Sequence, residues 1–310
     1  MIRDTALSIL DVTKHQYYYR PNGKRSGRKP TKTSSKKEGN KKVEVKNNKI
    51  VEEIETIQSD PDTKYGYRKM YFALMMLGYY INHKKVYRLM KENNLLRLPK
   101  KRNERTYAKY RIVTPKEPLE VLEMDIKYVW VTQDKRHAYI LTIIDTFTRY
   151  VLHWQVGFTM KTYQVQRAWE EVIINYLQPE NRMNKAIHIE VRNDNGPQFS
   201  SKKIQSFFKT NYLNQVFTHP YTPQENGHIE SFHSILATSI DKEIFWSIIE
   251  LENRLHQFYT KYNDIRIHGS IANLSPVMFW NLWEMKKITR IELDNKKQKL
   301  KKRIFEPKLK

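Results

Sequence analysis

The spacing of apolar residues changes several times along the chain, and each change marks a different kind of structure. Residues 1–20 are expected to form a short helical DNA-binding or assembly segment, in which 4–20 read as a short helix, a turn and a second short helix, with Asp11 and Thr13 as turn or cap residues. Residues 21–49 hold almost no apolar side chain among many Lys, Gly, Ser, Asn and Thr, the composition of a flexible basic linker. From Ile50 the period becomes helical, because Ile50, Ile54 and Ile57 share one face. A second run follows from Tyr65 to Leu77, then Gly78, then a third run over 84–90 that stops near Asn93 and Asn94. Helix, glycine turn and cation-bearing helix over 50–96 is the pattern of a helix-turn-helix DNA reader, with Lys84, Lys85 and Arg88 as candidate DNA contacts. Three-helix bundles without DNA-binding activity share this pattern. Residues 97–118 form a basic connector containing Lys100, Lys101 and Arg102, further candidate DNA contacts, and ending at Pro115 and Pro118.

After Pro118 the period shortens to that of strands. Residues 119–131, 138–145 and 150–156 are rich in β-branched and aromatic residues and predict an antiparallel meander. A helix over 163–177 follows, then a strand over 186–191, a helix over 202–211 and a short strand over 215–219. A long helix begins after Pro223, and more helix is expected over 248–263 and 276–285. This order predicts an α/β domain over 119–285, a mixed sheet covered by helices. Trp246, Trp280 and Trp283 are expected to pack the C-terminal helices on that sheet, and the lysine-rich 286–310 segment to be an exposed helix or tail.

Charge sharpens this division. The net charge of +23 points to a polyanionic partner. Residues 1–118 carry 29 Lys and Arg against 12 Asp and Glu, residues 119–285 carry 16 against 18, and residues 286–310 carry 11 against 3. A near-neutral block is thus flanked by basic arms suited to holding phosphates, although a lysine-rich surface also serves solubility alone. The absence of cysteine excludes disulfides and thiolate zinc sites. No apolar run reaches membrane-spanning length and no signal peptide is evident, so a cytoplasmic protein is expected.

The candidate chemistry lies in the near-neutral block. Asp125 falls inside its first strand, Asp194 just past its fourth, and Glu230 on the helix that follows, with 35 residues between the last two. Neighbouring strands would bring both aspartates to one sheet edge, with Glu230 approaching from the side. Such hard oxygen ligands can bind two Mg²⁺ ions that clamp the attacking and leaving oxygens of an in-line displacement at phosphorus. Asn193, Asn195 and Gly196 make a tight turn whose backbone can approach a phosphate. Taken singly, each acid has a plain alternative as a strand-end turn residue or a surface helix residue. Nothing in the sequence marks an activated Ser or Tyr nucleophile, and the tyrosines, Tyr17, Tyr18 and Tyr19 among them, read as core packing or phosphate contacts.

These residues and their surroundings resemble the second reading frame of IS3-family insertion-sequence transposases, members of the DDE integrase group, over nearly the whole chain. Asp125, Asp194 and Glu230 match the family's catalytic triad, and the run from Asn226 to Phe232 matches the approach to its glutamate. Tyr262, Asn263, Arg266, His268 and Ser270, followed by Pro276 and Phe279, match a downstream signature. The run from Tyr65 to Arg68 through Met90 resembles the helix-turn-helix region before the core. The resemblance implies an RNase H-like core, Mg²⁺ dependence with Mn²⁺ as a substitute, and recognition of terminal inverted repeats in double-stranded DNA. It also implies nicking at the element ends followed by 3′-OH strand transfer, assembly of a homo-oligomer, and fusion to or binding of an upstream-frame protein in the bacterial cytoplasm and nucleoid. The chain departs from the pattern at Ala237, where Lys or Arg is common, and at Leu122, Lys127 and Asn193, where Trp, Thr and Ser are usual. Arg266 is a candidate DNA contact, or with His268 a partner for buried carbonyls. A non-catalytic protein that binds element ends, and an RNase H-like nuclease of another kind, are the competing functions.

Overall fold

The computed structural model describes residues 3–19, 30–97, 113–183, 187–219, 223–293 and 297–302. The chain opens with α1 (Arg3–Ile9) and α2 (Lys14–Tyr18). Thr13 starts α2 through a reciprocal pair: its hydroxyl accepts from the Gln16 amide, and the Gln16 side chain accepts from the Thr13 amide. Tyr17, Tyr18 and Tyr19 are exposed, which rules out core packing for them.

The expected flexible linker over 21–49 is corrected in its second half, where β1 (Thr33–Glu38) and β2 (Lys41–Lys46) pair as an antiparallel hairpin. Gly39, at φ 59°, turns the chain between them. The strands lack the apolar alternation that would reveal them, and their stability comes from tertiary partners. Val45 is buried, the Lys36 ammonium lies 4.6 Å from the centre of the Tyr79 ring, and the Lys85 ammonium donates to the Thr33 carbonyl at 2.6 Å and to the Ser34 hydroxyl at 2.8 Å.

Next come α3 (Asn47–Ser59), α4 (Tyr67–Met76), β3 (Tyr79–Tyr80), which joins β1, and α5 (His83–Glu92). Ile50, Ile54, Met70, Leu74, Val86 and Met90 fill the core between the three helices. Asn82 caps α5 by accepting from the Lys84 amide, and Asn94 ends it in the left-handed conformation. The N-terminal helical region thus also carries a small three-stranded sheet. Lys100, Lys101 and Arg102 lie outside the described residues.

The larger sheet contains β4 (Val121–Val131), β5 (Arg136–Asp145) and β6 (Val151–Gly157), then, after α6 (Thr162–Val172, extended by a π-helical turn over Ile173–Leu177), β7 (Ile189–Asn193). After α7 (Pro197–Ser200) and α8 (Lys202–Thr210), β8 (Leu213–Phe217) completes it in the order β6-β5-β4-β7-β8. The first three strands form the expected antiparallel meander, while β7 and β8 run parallel to β4. Val165, Trp169, Ile204 and Phe208 of α6 and α8 pack on one face against Leu122 and Met124. The other face is covered by α9 (Gly227–Ile240) and α10 (Ile248–Asp264), whose Ile229, Phe232 and Phe258 meet Ile140 and Ile144. This is the expected α/β, RNase H-like class, a mixed five-stranded sheet between helices.

α11 (Pro276–Glu284) packs its aromatic residues as expected, with Trp280 5.4 Å from Tyr150 and Trp283 4.7 Å from Phe147. Trp246 does not pack on the sheet and is 62% exposed. The 286–310 segment, expected as a helix or tail, contains β9 (Ile288–Leu293) and β10 (Lys297–Lys302) as an antiparallel pair. β-branched Ile288, Thr289 and Ile291 favour extended backbone there, and Ile288 is buried beside Phe147 and Phe279.

The N-terminal helical region docks on the larger α/β domain through buried polar contacts. Asp62, 3% exposed, receives Arg254 of α10 at 2.8 and 3.2 Å, and Lys261 of α10 pairs with Asp60 at 2.7 Å. The Tyr65 hydroxyl accepts from the Ile267 amide at 3.0 Å, and Ile267 is itself part of the N-terminal apolar core. Among the described residues no helix is long and apolar enough to cross a membrane.

Candidate active site

The register of the central strands decides where the first two acids meet. β4 and β7 pair in parallel with Glu123 opposite Arg192. Asp125 and Asp194 each lie two positions further on, so both stand at the same level of two adjacent strands. A strand spacing of about 4.8 Å brings such neighbours close. Asp194 has just left β7, and its carboxylate accepts from the Gly196 amide at 2.9 Å, closing the turn. Asn193 holds that turn in place: its side-chain amide donates to the Asp194 carbonyl at 2.6 Å, and its side-chain oxygen accepts from Gln215 of β8 at 3.0 Å. Asn195 is exposed and donates to the Thr218 carbonyl at 3.1 Å.

Glu230 enters from α9, whose start is tied to β4. Glu123, fully buried, accepts from the amides of His228 at 3.0 Å and Ile229 at 2.7 Å, and lies 2.8 Å from Nδ1 of His228. One turn on, His233 Nδ1 lies 3.3 Å from Asp125. Position 230 and position 233 share a helix face, so the same face that carries Glu230 also touches Asp125.

The electrostatics record the proximity of all three acids. Burial raises the Asp194 carboxyl above its ordinary range, against the pull of the Gly196 amide, and the charge of Asp125 raises it further. Glu230 is pushed up to about 7, first by loss of water contact, then by repulsion from Asp125 and Glu123. Glu123 is also pushed up to about 7, chiefly by burial. Mutual repulsion of this kind is relieved by a cation, and three carboxylates are the donor set that a hard divalent ion takes. Among the described residues, no group of three acids or histidines is already drawn into metal-ligating geometry.

The other predicted contacts fall elsewhere. Lys84 is exposed on α5, whereas Lys85 is engaged by the β1 strand and Arg88 by Glu92 and the Thr31 carbonyl. Arg266 donates to the Asp62 carbonyl at the junction of the two regions. Ala237 is half-buried on α9, and Leu122 is fully buried in the core where a larger apolar residue is usual. Sequence reasoning missed Glu123, His228 and His233. The signal for His233 was its helical spacing from Glu230; Glu123 gave none beyond an acid at a position with core periodicity.

Comparison with known proteins assigns family models to both regions of the chain. Residues 115–223 match an integrase core domain model, residues 211–276 a second integrase core domain model, and residues 46–103 an HTH-like domain model. An insertion element IS476 protein of Xanthomonas euvesicatoria is 25% identical over 218 residues, 70% of this chain and 60% of that protein. The InsK protein for insertion sequence element IS150 of Escherichia coli is 25% identical over 254 residues, 77% of this chain and 85% of its own length. The catalytic core domain of BIV integrase superposes with a TM-score of 0.38 at 22% identity, covering 55% of this chain and 98% of that domain. The chain joins an HTH-like domain to an integrase core domain and is related to insertion-element proteins, in keeping with an IS3-family transposase.

Proposed function

We propose that the chain is a DNA transposase that nicks the terminal inverted repeats of an insertion sequence and transfers the resulting 3′-OH ends. The observation that carries this reading is the meeting of Asp125 and Asp194 on adjacent parallel strands with Glu230 in the same electrostatic neighbourhood. Asp125, Asp194 and Glu230 would hold two Mg²⁺ ions, or Mn²⁺ in their place. Bound there, the ions would lower the pKa of the attacking water or 3′-OH and stabilise the departing oxygen. The three carboxylates would ionise to bind them. His233 orients Asp125, and Glu123 fixes the entry of the helix that presents Glu230. No side chain forms a covalent link to DNA in this scheme.

The 50–96 region would read the element ends, with Lys84 facing solvent and Asn195 beside the carboxylates as contacts, and Arg266 at the junction. The regions before and after the core would act as basic arms, with Lys100, Lys101 and Arg102 in the first. Strand transfer needs two ends in one complex, so a homo-oligomer follows, with an upstream-frame protein as a fusion or partner, acting at the bacterial nucleoid.

The test uses the full chain, Mg²⁺ or Mn²⁺, and a labelled duplex carrying the flanking inverted repeat. A 3′-end nick and a joined product are expected. Glu230→Gln should lower both by more than about a hundredfold, since even residues behind metal ligands cost about 10–100-fold. It should leave duplex binding intact. Tight binding with no product in either metal, also after fusion to the upstream frame, would instead favour a repressor-like protein.

A further inference from the structure

A group of basic residues gathers where the N-terminal region meets the core, with Arg149 in electrostatic reach of the buried Glu123 and Asp145. Lys69 comes from α4, Arg149 from the turn between β5 and β6, and Arg266 and His268 from the chain after α10. Their frame is built by contacts already described: Arg266 donates to the Asp62 carbonyl, the Ile267 amide to the Tyr65 hydroxyl. The His268 ring stands 4.8 Å from Tyr262, and Arg149 Nε lies 3.4 Å from the Ser270 hydroxyl.

The donors at this junction outnumber their acceptors. Arg149 Nη1, Arg266 Nε and His268 Nε2 are buried without a hydrogen-bond partner, and His268 is only 7% exposed. Lys69 is half-buried and makes no hydrogen bond or ion pair among the described residues. The nearby acids are committed elsewhere. Asp62 binds Arg254, Glu123 binds the start of α9, and Asp145 accepts from the amides of Leu119, Phe147 and Thr148. The cations also feel one another: burial pushes the Lys69 ammonium down to about 8, helped by repulsion from Arg266 and Arg97, and burial together with Lys69, Arg266 and Arg149 holds His268 well below its usual range. Unfilled donors around like charges cost stability in the free protein, and an anion removes that cost.

We propose that Lys69, Arg149 and Arg266, arranged around His268, form a phosphate-binding site for the DNA backbone at the junction of the HTH-like domain and the integrase core. A phosphate there touches both regions at once, coupling the reader of the duplex to the domain that cuts it. Lys69, Arg149 and Arg266 each keep part of their surface in solvent, while His268 is buried between them. The choice of DNA as the source of the phosphate rests on the transposase reading.

The experiment measures binding of the full chain to a duplex with a chelator present, over a range of salt. Each phosphate contact removed should lower the slope of log affinity against log salt by about one. Lys69→Gln should therefore lose about one unit of slope, and Lys69→Gln with Arg266→Gln about two. Lys69→Gln should also melt no lower than wild type without DNA, because it relieves repulsion and breaks no hydrogen bond; a structural role would lower melting. A wild-type slope in folded Lys69→Gln overturns the proposal, and this single variant suffices if the Arg266 change prevents folding. Failure of the wild type to bind duplex, both alone and fused to the upstream frame, overturns both this site and the transposase reading. Loss of slope in a protein that never cuts DNA supports this site and removes the transposase reading alone.

Discussion

Glu230 is exposed as a residue, yet its carboxyl sits where the sheet edge and two other acids deny it water and add repulsion, so it holds its proton up to about pH 7. A group raised in this way favours the folded metal-free protein at low pH, and that contribution fades as pH rises from about 4.3 towards 7. Metal binding in the proposed site has the opposite sign, because a carboxylate ligand would have to ionise first. We expect Mn²⁺ affinity to rise with pH and to fall by about tenfold per unit below pH 7, with about one proton released on binding. Calorimetric titration at pH values on either side of 7, in buffers of different ionisation enthalpy, checks this. A Mn²⁺ affinity indifferent to pH would remove Glu230 from the ligand set. The acid itself was legible in the sequence, since its surrounding residues carry the family pattern. Its pKa was not, because that depends on Asp125 and Glu123 brought from more than a hundred residues away.

At the level of elements, α9 is the part whose placement matters most, and a single side chain fixes its start. The first amides of a helix lack partners within it. Two of these in α9 are filled by Glu123 from β4, whose ionised form also suits the positive end of the helix. Glu123→Ala would leave both amides buried and unsatisfied and remove a packed side chain. We expect it to cost about 2–4 kcal/mol by urea denaturation and, if the proposed function holds, to lower strand transfer with it, while Glu123→Gln, which keeps an acceptor, costs about half as much. Equal stability of Glu123→Ala and wild type would show that the helix start is held by something else. Helices with a clear apolar stripe, such as α3 and α6, were readable because one face meets one core. The β1–β2 and β9–β10 hairpins were not, because lysine-rich strands owe their form to pairing and not to an apolar period of two.

Across the whole molecule, the N-terminal region is tied to the core by Asp62. This carboxylate is buried, and although burial alone would raise its pKa, the pairing with Arg254 and Ser239 and the charge of Lys261 hold it below its usual value. Ser239 lies on α9, so the N-terminal region is fastened to the same helix that carries Glu230. The two regions should therefore unfold together. Asp62→Asn removes the buried one of the two carboxylates that Arg254 pairs with, leaving Glu243 at 3.0 Å as the other. The retained partner keeps the cost below the about 3–5 kcal/mol of a fully broken buried pair. We expect calorimetry to show one transition for wild type and two for Asp62→Asn, with the N-terminal region melting first. A single unshifted transition in the variant would show that apolar contacts such as Ile267 suffice to hold the regions together. Because the Asp62 pKa is depressed, its contribution is present above about pH 4 and lost as pH falls through its folded value.

By itself, the sequence determined the class of the core, the order of most of its elements, and three acids whose local words set them apart from the other 30 Asp and Glu residues. These are local properties: apolar period, turn chemistry and short motifs survive in the order of residues along the chain. Tertiary structure decided what those properties could not encode. The parallel register of β4 and β7 levelled Asp125 with Asp194, the burial of Glu123 aimed α9, and the docking at Asp62 gathered Lys69, Arg149, Arg266 and His268 into one junction. Each of these depends on pairing between distant segments, and the free energy that selects such pairings belongs to the packed whole rather than to any stretch of sequence.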